Sequence, residues 1–226
     1  MTPAMDFRRE WKHEISPGDL PALRARLRAA MTPDSHGKGG TYRIRSLYFD
    51  TPTDRALREK IDGVNRREKF RLRYYDDDLS LIHLEKKSKI NGLCRKESAA
   101  VTEEEVRALL SRDWIWMAES GQDLVWELRQ KMTTQLLRPS VIVDYTREAY
   151  VYAPGNVRVT LDSNIRTGLK NLDFLRPASL TVPAGAPIIL EVKWDEYLPD
   201  TVRSAVQLEG RRSSAFSKYA VCRRFD

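Results

Sequence analysis

Apolar and polar residues alternate along most of this chain, the two-residue period of β-strands with one buried face. The period predicts strands over 6–15, 42–50, 66–75, 79–89, 93–101, 139–152, 156–166 and 188–196. Turn residues separate several of them: Asp76 to Asp78 closes one hairpin and Asn91-Gly92 another. Helical spacing replaces alternation in a few places. Ser16-Pro17-Gly18-Asp19 starts a helix through LPALRARLRAAM, and Thr51-Pro52 opens a short one. Thr102 and Glu105 form a capping box ahead of a third helix, 122–136 reads as a fourth, and two more are expected over 199–210 and 213–224. The segment 34–40 is expected to be a loop. Without repeats or a long linker, residues 1–226 read as a single domain of class α+β, with about eight antiparallel strands and peripheral helices.

The polar faces of these strands are unusual. In RREKFRLRYY, Arg67, Lys69, Arg71 and Arg73 share one face while Phe70, Leu72 and Tyr74 take the other. Cations about 7 Å apart in a row repel by about 2 kcal/mol per neighbouring pair at an effective dielectric near 20. Elsewhere Glu10 shares a face with Lys12, Arg43 with Arg45, Glu85 with Lys87 and Lys89, Arg158 with Asp162, and Glu191 with Lys193. Any one strand is explained by a solvated sheet face. Together they fit an inverted barrel, charged within and apolar without, whose lumen needs a ligand to fill it.

Composition narrows the ligand. Lys and Arg number 39 against 32 Asp and Glu in 226 residues, a net charge of +7, which favours an anionic partner. Arginine forks and lysine point charges suit phosphate oxygens, and a few carboxylates among them suit a hard divalent metal. A nucleic-acid binder would interleave aromatics on the basic face, whereas Phe70, Leu72 and Tyr74 point away from it, so nucleic acid is an unlikely partner. Cys94 and Cys222 give no disulfide framework, and His13, His36 and His83 no zinc spacing. No signal-peptide core and no run of about 18 apolar residues is present, so a cytoplasmic location is expected. No P-loop, kinase glycine loop or nucleophilic triad occurs.

In chain order, R-x-E-x-K, RSLYFDTP, K-x-R-x-R-x-Y, LEKK, a downstream lysine, Y-x-R-E-A-Y, VRVTLD, LEVK and SKY resemble the catalytic domain of the vacuolar transporter chaperone (VTC) family. That family is one of the triphosphate tunnel metalloenzymes, with a closed eight-stranded antiparallel β-barrel. The resemblance implies a metal-dependent polyphosphate polymerase that moves the γ-phosphoryl group of ATP to a growing chain. The alternatives on the same fold are an inorganic triphosphatase and a non-catalytic polyphosphate- or nucleotide-binding module.

Carried over by position, the resemblance implies that Lys12, Arg71, Arg73, Lys87, Arg147, Arg158 and Glu191 form the catalytic set. Phosphate contacts are expected from these cations and from Arg45, Lys69, Lys96, Lys193, Ser217 and Lys218. Glu191 is expected to bind Mn²⁺ or Mg²⁺, with Glu10 and Glu85 as further candidate ligands. Tunnel enzymes that hydrolyse triphosphate or cyclise ATP carry E-x-E-x-K in the first strand. Arg8 stands at the first position here, which favours the polymerase branch. Eukaryotic relatives also carry an SPX domain and membrane helices. Neither is in this sequence, so a separate membrane partner is expected for any exported product.

Overall fold

The computed structural model describes residues 7–35, 40–210 and 213–224. Asp6 at the expected start of the first strand, and residues 36–39 of the expected loop with His36, lie outside them. In chain order the elements are β1 (Arg9–Ile15), α1 (Leu20–Ala30), β2 (Thr32–Pro33), β3 (Thr41–Asp50), α2 (Arg55–Ile61), β4 (Arg66–Tyr75), β5 (Asp78–Ile90), β6 (Leu93–Val101), α3 (Glu103–Leu110), α4 (Trp116–Glu119), α5 (Asp123–Thr134), β7 (Arg138–Tyr152), β8 (Val157–Thr167), β9 (Val182–Pro183), β10 (Ile188–Trp194), α6 (Asp200–Val206) and α7 (Lys218–Cys222).

The eight long strands pair antiparallel in the order β1-β10-β8-β7-β3-β4-β5-β6, with β2 on β7 and β9 on β8. Side chains from all eight line one central cavity, so the sheet curls on itself. Its edges meet at a single bridge, where Arg8, just ahead of β1, and Cys94 of β6 exchange backbone hydrogen bonds of 3.0 and 3.2 Å. No ladder among the described residues extends that bridge. Among the described residues the two edges are therefore joined at one point and not sealed by continuous hydrogen bonding.

Local chemistry explains the hairpins. Asp76 and Asp77 have φ of 47° and 64°, and Asn91 and Gly92 have 49° and 85°. Two consecutive left-handed residues make the type I′ turn whose twist matches paired strands. The capping box also forms: the Thr102 hydroxyl accepts from the Glu105 amide at 3.1 Å, and the Glu105 carboxylate accepts from the Thr102 amide at 2.8 Å.

Apolar residues lie outside the curl. Phe70, Leu72 and Tyr74 of β4 pack with Ile82 and Leu84 under α3 and α5. On the opposite side Val159, Leu161, Leu190 and Val192 pack against Leu23 and Leu27 of α1 and Val202 of α6. A third cluster fills part of the interior: Ile44, Tyr48, Val141, Val143 and Ile189 surround Tyr219 and Val221 of α7. The C-terminal helix is shorter than the expected 213–224, because residues 213–217 run extended beside the cavity. Ser217 caps α7, and the Ser214 amide donates to the Lys12 carbonyl at 2.7 Å. The expected helix over 199–210 contracts to Asp200–Val206, and β2, β9 and α4 were too short to carry a readable period.

Candidate active site

The cavity holds about 550 Å³ and is walled by side chains two residues apart on successive strands. Glu10 and Lys12 come from β1, Lys69, Arg71 and Arg73 from β4, and Lys87 from β5. Lys96 comes from β6, Tyr145 and Arg147 from β7, Arg158 from β8, and Glu191 and Lys193 from β10. Ser217 and Lys218 enter from α7. Arg67, expected at the edge of the cationic row, stands at the cavity's rim.

A few acids hold these cations apart. Glu85 is fully buried: Arg71 Nε donates to it at 2.7 Å, and Lys96 and Arg73 form ion pairs with it at 2.6 and 3.7 Å. Burial alone raises a carboxyl pKa, but Arg71, Arg73 and Lys96 outweigh it and hold Glu85 far below the usual range. Asp162 accepts a bidentate pair from Arg147 (2.6 and 2.7 Å) and meets Lys218 at 2.6 Å. Against the effect of burial, those two cations hold its pKa at about 2. Arg158, although it shares a strand face with Asp162, does not pair with it. Arg158 instead pairs with Asp34 at 2.6 Å and donates to the Tyr42 hydroxyl at 2.7 Å.

Glu10, Lys12, Lys87, Glu191 and Lys193 meet where β1 and β10 pair. Lys12 donates to Glu10, and Lys193 touches Glu191 and lies 3.8 Å from Glu10. Glu10 Oε2 and Glu191 Oε1 are buried and accept no hydrogen bond, and their shared neighbour is the Lys193 ammonium in ion-pair contact. Burial disfavours the Glu191 carboxylate, yet Lys193, Lys12, Lys87 and Lys218 keep it ionised. Lys87 has no carboxylate within ion-pair reach among the described residues. Repulsion by Lys193, then burial, pushes its pKa well below the ordinary amine value, against the pull of Glu10 and Glu191. Lys69 is pushed down to about 7 by burial and by Lys60, Arg67 and Lys12. Here the cost of lining up like charges is visible.

Arg45 is a correction. On β3 the inward residues are Tyr42, Ile44, Ser46 and Tyr48, so Arg45 points outward. It is buried there on Asp144 (2.8 and 2.7 Å), with the Arg176 carbonyl and Ser179 hydroxyl each at 2.7 Å. A strand with polar residues on both faces leaves the choice of face open, and a shift of one residue reverses it. Tyrosines inside the cavity were missed. Tyr48 accepts from Arg71 at 2.8 Å, and Tyr145 from Arg73 at 3.0 Å. Tyr145 shares its face with Arg147, which is the signal that would have found it. Arg8, the first position of R-x-E-x-K, turns to Asp195 at 2.8 Å.

Among the described residues no group of three or more His, Cys, Asp or Glu forms a ready metal cage. No helix of the described residues is long and apolar enough to cross a membrane.

The VTC domain model matches residues 7–225. A Hippeastrum protein whose structure reveals a dominant triphosphatase activity superposes with a TM-score of 0.54 at 17% identity, over 96% of this chain and 95% of that one. The PH1012 protein of Pyrococcus horikoshii OT3 superposes with a TM-score of 0.54 at 12% identity, over 95% and 98%. At these identities the likeness is one of fold. No curated protein sequence matches the chain.

Proposed function

This chain belongs to the VTC domain family, and on that footing we propose that the cavity is the active site of a metal-dependent polyphosphate polymerase using ATP. The observation that carries the proposal is a partly enclosed cavity in which Lys12, Lys87, Arg71, Arg73, Arg147, Arg158, Lys193 and Lys218 face one another with few acids between them. A phosphate chain entering it relieves that repulsion.

The reaction balances without a protein nucleophile. A terminal oxygen of the chain forms a bond to the γ-phosphorus of ATP, the bond to the β,γ-bridging oxygen breaks, and ADP leaves with that electron pair. The attacking oxygen is already anionic, so no base is needed. The cations hold donor and acceptor in line and offset the charge that spreads over the transferring group. Lys218 and Arg147, both anchored on Asp162, are fixed in place for that task.

The carboxylates fit a divalent metal of a particular kind. Glu10 Oε2 and Glu191 Oε1 supply buried oxygen lone pairs free of hydrogen bonds, and Mg²⁺ commonly takes one or two carboxylates with the rest from water and phosphate. Glu191 and Glu10 would hold it, and it would supply charge neutralisation at the phosphate oxygens. Glu85 Oε1 also accepts no hydrogen bond, but Arg71, Arg73 and Lys96 all pair with this carboxylate, which fits a positioning role better than a ligand's.

The test is a product assay with ATP and Mn²⁺, an EDTA control and the Glu191→Gln variant. The expected result is a metal-dependent ladder of long chains with ADP, absent in the variant. Free phosphate without chains would assign water as the acceptor and make the protein an inorganic triphosphatase. Neither product, with polyphosphate binding retained, would make it a binding module.

A further inference from the structure

Lys96, with a side chain 49% exposed, and Leu81, 51% exposed, mark an open end of the cavity. An arc of rings stands there. Tyr42, whose hydroxyl accepts from Arg158, meets Tyr75 edge to face with centroids 5.8 Å apart. Tyr75 meets His83 in the same way at 6.4 Å. His83 lies directly across the β4–β5 pairing from Arg73. Tyr42 is buried, whereas Tyr75 and His83 are only half-buried beside exposed Leu81. Residues 76–78, the hairpin beyond Tyr75, are exposed, so these rings sit outside the cationic ring and not within it.

We propose that Tyr75, His83 and Leu81 form a stacking shelf for the base of the nucleotide donor at this mouth of the cavity, a subsite that sets preference for nucleoside triphosphates over base-free ones. The proposal rests on the reading of the cavity as a triphosphate site. From Tyr75 to Arg73 is one two-residue strand step, about 7 Å, comparable with the ribose that joins a base to its first phosphate. A base on the shelf therefore leaves its phosphates at Arg73, Lys96 and Arg158. Burial lowers the His83 pKa, Glu85 pulls it back, and Lys96 and Arg73 lower it again, leaving it below the ordinary imidazole range. A neutral ring offers its face to a base without charge. Any base has such a face, so the shelf distinguishes base from no base more than one base from another.

The experiment is calorimetric titration of the wild type with ATP, methyl triphosphate and inorganic tripolyphosphate, repeated on Tyr75→Ala, His83→Ala and the ring-conserving Tyr75→Phe. Stacking worth about 1–3 kcal/mol per base gives ATP about a 5- to 150-fold advantage over methyl triphosphate in the wild type and Tyr75→Phe. In the two alanine variants that advantage shrinks while tripolyphosphate affinity stays unchanged. Equal affinity of the wild type for ATP and methyl triphosphate, which involves no mutation, overturns the shelf. So does an alanine variant that weakens tripolyphosphate as much as ATP. If no triphosphate binds the wild type, the phosphate-site reading fails first and the shelf falls with it.

Discussion

Replacing Glu85 with glutamine removes one charge from the most enclosed part of the site. Glu85 has no exposed surface and contacts Lys96 at 2.6 Å, Arg71 at 2.7 Å and Arg73 at 3.7 Å. At an effective dielectric near 20, a unit charge pair at 2.6–2.7 Å attracts by about 6 kcal/mol, and one at 3.7 Å by about 4 kcal/mol. Lys96 is half-exposed, so its share is discounted for solvent screening. Most of the rest offsets the desolvation of the buried ions. What remains is the cost of stranding two buried guanidinium groups, about 3–5 kcal/mol for removal of one partner. In a chain of this size each kcal/mol shifts Tm by about 2–4 °C, so Glu85→Gln is expected to melt about 10 °C lower in phosphate-free buffer. The same change leaves the cavity hungrier for anions, so tripolyphosphate is expected to raise the variant's Tm by more than it raises the wild type's. Thermal melts with and without tripolyphosphate decide it. A ligand-free Tm within 2 °C of wild type, or a smaller ligand-induced rise, would refute the reasoning. The pH dependence has a fixed sign. A carboxyl held below its unfolded pKa stabilises above that value, about 4.3 for glutamate, and loses its contribution as pH falls toward its lower folded value. The Tm difference between wild type and variant should therefore narrow below about pH 4.

Three further outcomes are expected. Lys69, at about 7 in the free cavity, is returned to its charged form by a bound phosphate, so tripolyphosphate binding takes up protons near neutrality. Affinity then falls between pH 6.5 and 8.5, roughly the range in which the free amine loses its proton, and Lys69→Met flattens that fall. Calorimetry in buffers of different ionisation enthalpy reads the proton count. Arg45→Ala strands buried Asp144 and costs about 3–5 kcal/mol of stability, but leaves tripolyphosphate affinity unchanged, because Arg45 lies outside the cavity. Tyr219 donates to buried Asp50, whose carboxylate also accepts from the Ala56 and Leu57 amides at the start of α2. Tyr219→Phe should cost about 1–3 kcal/mol in a denaturant titration, while the aromatic contact with Tyr48 is kept.

Much of the fold was legible because the strand period is two. Wherever one face was strongly apolar, as in Phe70, Leu72 and Tyr74 or in Leu190, Val192 and Trp194, the face opposite it was assigned correctly. Periodicity misassigned β3, where Arg43 and Arg45 share a face with Leu47 and Phe49 while Tyr42 and Ile44 share the other with Ser46 and Tyr48, so each face mixes polar and apolar groups and Arg45 went to the wrong side. Nothing local decides that case. The decision comes from Asp144, about a hundred residues away in sequence, and from the loop carrying Ser179. Pairings were harder still. Which acid holds which cation depends on strand stagger, so the face Asp162 shares with Arg158 did not reveal its pairing with Arg147 and Lys218. The short α7 was overextended because residues 213–217 have no competing period. Their conformation is set by the β1 backbone they lie against.

The most direct measurement is the crystal structure of the protein soaked with tripolyphosphate and Mn²⁺, with data collected at the manganese edge. Phosphate density should run through the cavity among Arg71, Lys87, Arg147 and Lys218, with an anomalous peak beside Glu191 and Glu10. An empty cavity, or phosphate bound only on the outer surface, would contradict the assignment of the charged interior as the site of phosphoryl transfer.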